Sequence, residues 1–580
     1  MVYSSAVIII CKLRGEEMNK SILVGGAAGQ GMDTIAAILE KILKRKGFRI
    51  FTVRDYMSRV RGGHNFVQVR FGDEELYSHS DTIDGIIALN EETLRIHVQR
   101  LSEDGFIICD EETVHTDERI INLPLKKAAQ NIGNPRVLGN IAVGAFLRLY
   151  NLDTEHVEGV INENFRQDIA KQNITALYEG YNLVDGRYKS ISPSKDTSIL
   201  INGNEAVALG ALAAGCKFYS AYPMTPSTSI MNYLASKTEE AGIVVEQAED
   251  EIAAINMAIG ASFAGARSMT GTSGGGFALM VEALGLSAML EVPLVVAEIQ
   301  RPGPTTGFPT RTEQADLKFV IYSTPGEIPK MVIALRNPED AFYQTIRAFN
   351  IADRYRMPVI LLGDQYLADY TTTIKPYDFD NIKIERYLNN DEYKSEKEYK
   401  TYEINESGIS PRIIPGVVPG KVVLVDSDEH DEYGRITESA EIRVKMNDKR
   451  LNKLQMLKNE LQEPDFIGND DCEVLLLAWG SLHGPVKEAV GMLNRNGGKK
   501  YGALVFGDIW PLPQKRLMEK AKKVERIINV EQNATGQLAS LIMEATGIRC
   551  TDSILKYDGR PMSSAEIYTR LEKEGNRHGR

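Results

Sequence analysis

Three stretches decide how this chain is read: NEAVALGALAAGCKFYSAYPMTPST (Asn204–Thr228), VVEQAEDEIAAINMAIGASFAGARSMTGTSGGG (Val244–Gly276) and TTGFPTRTEQAD (Thr305–Asp316). Each sets a short polar constellation at the end of an apolar run or the start of a helical one. ILINGNEAVALGALAAG predicts a strand, a turn and a helix of small residues, which can pack very close to a sheet or to another chain. KFYSAYPMTPSTSIMNYLASK predicts a strand ending at Tyr222 and Pro223, with Thr225, Pro226, Ser227 and Thr228 opening the next helix. Their hydroxyls suit two roles equally: capping the free helix amides, or meeting a carboxylate or carbonyl oxygen at the positive end of the dipole. IVVEQAEDEIAAINMAIGASFAGA predicts a strand and then a helix with apolar residues at i, i+3 and i+4. Glu246, Glu249, Asp250 and Glu251 crowd its start, where acidic residues are ordinary partners of the dipole. Glu251 stands apart because the small apolar run IAAINMAIG follows it; a carboxyl group buried against such surface can hold a proton against a ring nitrogen. SMTGTSGGG, with Thr272 and Gly274, predicts a glycine-rich turn where a ligand or neighbouring chain can approach the backbone. VEALGLSAMLEVPLVVAEIQR predicts a helix and a buried strand.

The totals bound the rest. A chain of 580 residues implies about three or four domains with ample core. It is 43% hydrophobic and 25% charged, the composition of an ordinary globular protein. The net charge of −12 and the lack of a basic cluster argue against nucleic acid as a partner. Cys11, Cys109, Cys216, Cys472 and Cys550 lie far apart without a CxxC, so neither an iron–sulfur cluster nor a structural zinc is expected on this chain alone. Scattered thiols suit a reducing cytoplasm. The apolar run Ala6–Cys11 is too short for a membrane span or a signal peptide, and the expectation is a soluble, cytoplasmic protein with its start at Met1 or Met18.

Toward the amino terminus, SILVG (Ser21–Gly25) predicts a strand, and GAAGQGMDTIAAILEKILKRKG a helix over Ile35–Leu43 that stops at Gly47. A strand, glycine turn and helix offer a phosphate-ready geometry. With Gly26 first, however, the third GxGxxG position is Ala28, and no Lys-Ser/Thr follows, so a tight turn without ligand stands beside the phosphate reading. FRIFTVRDY predicts a strand and RVRGGHNFVQVRFG a hairpin-like turn into another; DGIIALNEE (Asp84–Glu92) and GFIICDEE (Gly105–Glu112) alternate with amphipathic stretches, a rhythm that predicts a mostly parallel sheet. Arg59, Arg61 and His64 beside Gly62 and Gly63 form a cationic turn suited to a cofactor phosphate, an interface or plain solvation. DGRYKSISPSKDTS (Asp185–Ser198) marks a boundary.

Beyond Asp369 the chain becomes charged and tyrosine-rich, which predicts a connection over the surface, locally structured where tyrosines pack. Asp426, Asp428, Glu429, His430, Asp431 and Glu432 tempt a metal reading, but adjacent turn residues point in different directions, and a solvated or interface loop is preferred. From Cys472 the rhythm regularises: CEVLLLAWGS a buried strand, PVKEAVGMLNRNG a helix, KYGALVFG a strand, and KVERIINVEQNATGQLASLIMEATG a strand leading into a helix. Asn533, Thr535 and Gly536 form a strand-to-helix turn, either a cap alone or a contact for a ligand or partner.

Together these motifs resemble one family. GGAAGQG, RVRGGHNF and IIALNEE, over roughly 20–184, resemble the gamma subunit of 2-oxoacid:ferredoxin oxidoreductases, which some members fuse ahead of the alpha subunit. YPMTPST, EQAEDEIAA, TGTSGGG and GFPTRTEQAD, in this order over about 199–369, resemble its alpha subunit. CEVLLLAWGS, WPLP and EQNATGQ resemble the family's transketolase carboxy-terminal-like domain. The resemblance implies a multidomain α/β chain: a gamma-type domain (20–185), a pyrimidine-binding-type thiamine diphosphate domain (199–370), a charged connection (371–470) and a transketolase carboxy-terminal-like domain (471–575). It further implies oxidative decarboxylation of a 2-oxoacid with coenzyme A to acyl-CoA and CO2, with electrons passing to ferredoxin. By motif position Glu251 is similar to the glutamate that hydrogen-bonds the aminopyrimidine N1′, Thr225 to the threonine facing the keto acid, and Arg311 to the arginine that binds its carboxylate. A guanidinium fork orients a planar 2-oxoacid in a way lysine cannot. Tyr222, Pro223, Thr272 and Gly274 fall at cofactor-contacting positions of the same motifs. DEHDE has a counterpart in the family and receives no catalytic role, and the Asn533 turn is a place where CoA could touch.

Two expected parts are missing. The Mg2+–diphosphate clamp is recognisable as GDG with a downstream asparagine, and LLGDQYLADY with Asn389 and Asn390, or GDIW with Asn533, lacks the second glycine. The cluster cysteines are also absent. The resemblance therefore implies a separate beta subunit carrying the clamp, Mg2+ and a [4Fe-4S] cluster, an active site between chains, and a dimer of heterodimers. PTRTEQAD reads closest to 2-oxoglutarate-type members, with pyruvate, branched-chain and broad-specificity relatives close behind. A non-catalytic scaffold is the alternative from another class; the related indolepyruvate enzyme would carry the cluster cysteines on this chain.

Overall fold

Alternating burial along the strand Lys20–Ala27 (β1) shows how the first part of the chain builds a sheet covered on both faces. Ile22 and Val24 join one apolar core with Ile35, Ile38, Leu39 and Ile42 of helix α1 (Met32–Arg45), while Leu23 joins a second core with Ile83, Ile86 and Leu94. The computed structural model describes residues 19–57, 63–113, 115–189 and 197–578, which divide into two units. The first holds the chain to Ile201, Tyr370–Pro376 and the segment from Ser563; the second holds Asn202–Asp369 and Tyr377–Met562.

In the first unit, β2 (Arg49–Asp55), β3 (His64–Gly72), β4 (Ile83–Ala88), β5 (Leu101–Asp110), β6 (Ile120–Leu123), β7 (Ile199–Asn202) and β14 (Thr371–Ile374) join β1 in the order β6-β5-β4-β1-β3-β2-β14-β7. The expected mostly parallel sheet is corrected here. β1, β4, β5 and β6 run parallel, but β3 is antiparallel to both β1 and β2, and β14 is antiparallel to β2. The short stretch between Asp55 and His64 allows only a hairpin, whereas parallel neighbours need a long crossover. The α1 stop lies as expected: Gly47 adopts φ +91, and its amide donates to Lys44 O at 2.9 Å. Arg59, Arg61 and Gly62 of the cationic turn lie outside the described residues, as does Cys11. His64 is buried, with its Nε2 2.8 Å from His97 Nε2. Burial, with Arg100 and His64 nearby, pushes His97 down to about 3. In the GAAGQG turn, Gln30 Oε1 accepts from Ala27 N at 2.6 Å, so the side chain of the turn itself stitches it.

In the second unit, β8 (Cys216–Ala221), β9 (Val244–Gln247), β10 (Arg267–Thr272), β11 (Leu294–Gln300), β12 (Met331–Ala334), β13 (Pro358–Asp364) and β18 (Asp508–Trp510) form a sheet ordered β18-β12-β13-β11-β10-β8-β9, parallel except at β18. A second sheet, β15 (Asp465–Gly468), β16 (Val474–Trp479), β17 (Tyr501–Phe506), β19 (Arg526–Glu531) and β20 (Asp552–Leu555), is ordered β15-β17-β16-β19-β20. One core joins the two: Val296, Val332 and Ile360 pack in the same cluster as Leu475, Leu477 and Leu504. Asn202 and Glu205 close a capping box at the start of helix α4 (Gly203–Ala213). The small residues of α4 do permit close packing: Gly210 faces Phe342 O, which a Cβ would approach to 2.5 Å.

The charged stretch after Asp369 differs from a plain surface connection. Tyr393 and Tyr402 are buried where tyrosines were expected to pack, but the stretch also carries charge inward. Arg412 Nη1 donates to Asp353 Oδ1 at 2.8 Å. Lys449 and Lys453 of helix α10 (Ala440–Leu457) both pair with the buried Glu291, which those cations hold below the ordinary carboxylate range against the cost of burial. The acidic turn is not solvated as a whole: His430 is fully buried against the Tyr402 ring, 4.0 Å away, and Glu429 accepts from Arg443 and Arg450.

Candidate active site

The carboxyl ends of β8, β9, β10, β11 and β13 point to the same edge of the parallel sheet, where ligands of open α/β sheets bind. Every motif of the three opening stretches is delivered to that edge. The YPMTPST loop follows β8, Glu251 follows β9, Thr272 ends β10, and the loop 301–316 follows β11.

Glu251 is the first residue of helix α6 (Glu251–Phe263), capped by Asp250, whose Oδ1 accepts from Ala253 N at 2.7 Å. Glu246, Glu249 and Asp250 are exposed, whereas Glu251 is only 3% exposed. Ser220 and Ser268 pin α6 to the sheet by donating to Ala254 O and Ala258 O, each at 2.6 Å. The Oε1 atom of Glu251 is buried and has no hydrogen-bond partner among the described residues. A buried polar atom left unpaired costs free energy, so a native structure supplies it with a partner.

The expected glycine-rich turn is corrected at this point. SMTGT belongs to strand β10, and Gly274, Gly275 and Gly276 open helix α7 (Gly274–Met289). Glycine is a poor helix former, but here larger residues have no room: a Cβ at Gly276 would overlap Glu251 Oε1 and Thr272 Oγ1, and one at Gly274 would overlap Asp316 Oδ2. Glu251 and Thr272 therefore converge on one small cradle at the start of α7, and Gly274 faces Asp316.

Thr225 is exposed, and its hydroxyl has no partner among the described residues. The capping role expected of this loop is not seen at Ser227, which precedes helix α5 (Thr228–Ala235): its Oγ donates backward to Met224 O at 2.8 Å. The loop is held by others. Asn204 Nδ2 donates to Pro226 O at 2.8 Å, and Arg301 Nη1 donates to Thr225 O at 2.7 Å. Tyr222 and Pro223 sit beside it, Tyr222 40% exposed.

Arg311 lies on the loop 301–316, half-buried, with its amide donating to Phe308 O at 3.1 Å and its stem against Gly559. Gln314 clamps the loop's end: its Nε2 donates to Trp479 O at 3.0 Å and its amide to Gln532 O at 2.7 Å. Acidic groups gather behind the loop. Glu298 is fully buried on β11, both oxygens without a partner among the described residues, and burial with Asp316 and Asp364 nearby holds its carboxyl well above the ordinary range. Burial pushes Asp316 up to about 6 and, with Asp316 close by, Glu313 up to about 7. Sequence reasoning missed Arg301 and Glu298. Both had a visible signal, a charge inside or directly after the apolar run LVVAEIQ.

Residues 209–449 match the family described as "Pyruvate flavodoxin/ferredoxin oxidoreductase, thiamine diP-bdg", residues 21–183 that described as "Pyruvate ferredoxin/flavodoxin oxidoreductase", and residues 472–567 "Pyruvate:ferredoxin oxidoreductase core domain II". The 2-oxoacid:ferredoxin oxidoreductase subunit alpha of a Sulfolobus species is 32% identical, over 96% of this chain and 97% of that protein. The chain belongs to the 2-oxoacid:ferredoxin oxidoreductase family. The 2-oxoglutarate oxidoreductase subunit KorA of Mycobacterium tuberculosis is 29% identical, over 90% of this chain and 87% of its own length. A solved 2-oxoglutarate:ferredoxin oxidoreductase from Magnetococcus marinus, with 2-oxoglutarate, coenzyme A and succinyl-CoA bound, superposes with a TM-score of 0.90 at 30% identity, covering 96% of this chain and 99% of that one. The three matched segments together reach from residue 21 to residue 567. Among the described residues no helix is long and apolar enough to cross a membrane.

Proposed function

We propose that this 2-oxoacid:ferredoxin oxidoreductase chain supplies the aminopyrimidine side of a thiamine diphosphate site, in an enzyme that converts a 2-oxoacid and coenzyme A to acyl-CoA and CO2 while reducing ferredoxin. The observation that carries the reading is the buried, unpartnered Oε1 of Glu251 beside the glycine cradle of α7. A ring nitrogen hydrogen-bonded there satisfies that oxygen, and the missing Cβ atoms at Gly274 and Gly276 let Asp316, Thr272 and Glu251 pack directly against the start of α7; the residues fit the group. When bound, thiamine diphosphate supplies the carbon nucleophile and electron sink that decarboxylation requires. Glu251 holds a proton at Oε1 against the ring nitrogen, with Thr272 packed beside it. Thr225 donates its hydroxyl hydrogen to the keto acid, and Arg311 grips the acid's carboxylate with its fork. Tyr222, Pro223, Thr272 and Gly274 wall the ring.

The remaining half of the site is assigned to a beta subunit holding the diphosphate, Mg2+ and an iron–sulfur cluster, with two such pairs per assembly. The engagement of the nearest clamp residues supports this. Asp364 accepts from Ser481 and from Leu367 N, Asp508 accepts from Arg347 Nη1 at 2.5 Å and Gln462 N at 2.7 Å, and Asn389 and Asn390 accept from Arg412 N and Ile414 N. Relatives named for 2-oxoglutarate make that acid the first substrate to test. The complex of this chain with a smaller, cysteine-containing partner is expected to reduce a low-potential dye only with coenzyme A and a 2-oxoacid. Glu251→Gln should lower kcat by about 100-fold or more with the complex intact. No dye reduction with 2-oxoglutarate, pyruvate or 3-methyl-2-oxobutanoate, or full turnover by Glu251→Gln, defeats the reading.

A further inference from the structure

Side chains two residues apart on a strand share a face of its sheet, and residues paired in parallel register lie side by side. Thr272 on β10 pairs with Glu298 on β11, and Gln300, two residues further on, pairs with Asp364 on β13. Val296 and Ile360, lower on the same face, join the apolar core with Ile255 of α6 and with Phe277 and Met280 of α7. Thr272, Glu298 and Asp364 thus form a polar row at the rim of the face that α6 and α7 cover. Its inner end is Glu251: a Cβ at Gly276 would lie 2.1 Å from Thr272 Oγ1 and 2.4 Å from Glu251 Oε1, so these two oxygens are neighbours. Its outer end is Asp316, whose amide donates to Gln300 Oε1 at 3.0 Å, with the half-buried Glu313 on the same loop.

The row is short of partners. Thr272 and Glu298 are fully buried, yet neither carboxyl oxygen of Glu298 has a partner among the described residues, and neither does Oγ1 of Thr270, below Thr272 on β10. The charged groups acting on Glu298 are the acids Asp316 and Asp364, and burial beside them keeps its carboxyl protonated. A neutral carboxyl still has a donor and acceptors to satisfy, and buried water bonded to several polar groups supplies them. Among the described residues no group of three or more His, Cys, Asp or Glu side chains could hold a metal ion, so water rather than a cation fits the gap.

We infer that Glu298 is a proton-relay residue: with ordered water, it links Glu251 and Thr272 at the cofactor end of the row to Asp316 and Glu313 on the loop. The inference rests on the proposed function. In that reaction a 2-oxoacid anion and a thiol yield a thioester, CO2, a proton and an electron pair that passes to ferredoxin. Glu251 is 3% exposed, so a proton leaving its side of the site has no direct way to bulk water. One oxygen of Glu298 gives its hydrogen to water on the Asp316 side as the other takes one from water on the Thr272 side. A proton crosses, and Glu298 ends neutral, as it began. Asp316 and Glu313, which burial pushes up to about 6 and about 7, receive the proton and release it to solvent.

The test uses the assembled complex and infrared difference spectra in H2O and D2O. At about pH 8 Asp316, Asp364 and Glu313 have ionised, and wild type should still show the carbonyl stretch of a protonated carboxylic acid, shifted in D2O and lost in Glu298→Gln. Glu251→Gln should move that band, because the row is hydrogen-bonded from end to end. In Glu298→Gln kcat should fall about 100-fold with a raised solvent deuterium isotope effect, while KM for 2-oxoacid and coenzyme A stays unchanged. Glu298→Asp, which keeps a carboxyl, should recover part of the loss. A band absent from wild type, a band unmoved by Glu251→Gln, or an unchanged kcat in Glu298→Gln overturns the inference. If Glu298→Gln does not assemble, the wild-type band and its response to Glu251→Gln decide alone. If the wild-type complex turns over no 2-oxoacid, the proposed function fails, and the same two spectra still decide whether Glu251 and Glu298 share a proton path.

Discussion

Replacing Asp353 by asparagine should loosen the charged stretch after Asp369 from the second unit. Asp353 lies on helix α9 (Pro338–Tyr355), 3% exposed, and accepts from three arginines: Arg267 Nε at 2.9 Å, Arg386 Nε at 3.2 Å and Arg412 Nη1 at 2.8 Å. Arg386 is about a third exposed and its pair contributes little. Arg267 and Arg412 are buried, at 2% and 7% exposure, and keep only carbonyl and amide partners once the carboxylate is gone. Removing one member of a buried pair costs about 3–5 kcal/mol, because the remaining charge is stranded. Asparagine preserves the shape and one acceptor oxygen, so the lower end of that range, about 3 kcal/mol, is expected. Denaturant unfolding of the second unit reads the loss, and limited proteolysis between Ile382 and Arg412 reads where it falls, since Arg386 and Arg412 fasten that segment. A double-variant cycle with Arg412→Met should show strong coupling. A loss below about 1 kcal/mol together with an unchanged cleavage pattern would refute the hub.

Two further outcomes follow from the same structure. Asp364, 2% exposed on β13, is pushed by burial from the ordinary 3.8 up to about 6, a displacement worth about 3 kcal/mol. Between about pH 4 and 6 the folded chain holds a proton that the unfolded chain has released, so this contribution to stability is present below pH 4 and lost as pH rises through 6. Asp364→Asn should flatten the fall in unfolding midpoint over that window, and parallel wild-type and variant curves would show the acid to be inert. In the first unit, helices α2 (Leu138–Leu149) and α3 (Gln167–Asn182) meet through Gly144 and Gly180, where an added Cβ would overlap Leu177 O and Ile141 O. Gly180→Ala should destabilise by about 2–3 kcal/mol despite alanine's better helix propensity, whereas Gly491→Ala, with open space around it, should stabilise by about 0.5–1 kcal/mol. Equal effects at the two positions would show that backbone crowding is not the cause.

What the sequence made legible divides by the range of the interaction. Periodicity reports which side of an element meets apolar surface, and strands such as β1, β8, β11, β16 and β17, spread over the three sheets, follow from it. It even marks Glu298 as odd, a carboxyl in LVVAEIQ, whose seven residues are all buried. The hairpin-like turn read in RVRGGHNFVQVRFG agrees with the antiparallel β2–β3 pair, whereas the βαβ rhythm, which does not by itself tell hairpin from crossover, is what made the sheet as a whole read as mostly parallel. Motif order proposes Glu251, Thr225 and Arg311 for the site, but four acidic residues stand together at that helix start, and only the packing of α6 and α7 separates the one buried oxygen from three solvated neighbours. Arg301 and Thr225 are 76 residues apart, Gln314 and Gln532 218, and Arg412 and Asp353 59. Such pairs carry no local pattern, because a charge bound for burial and a charge bound for solvent are the same letter. Their destination is set by what the rest of the fold brings to meet them.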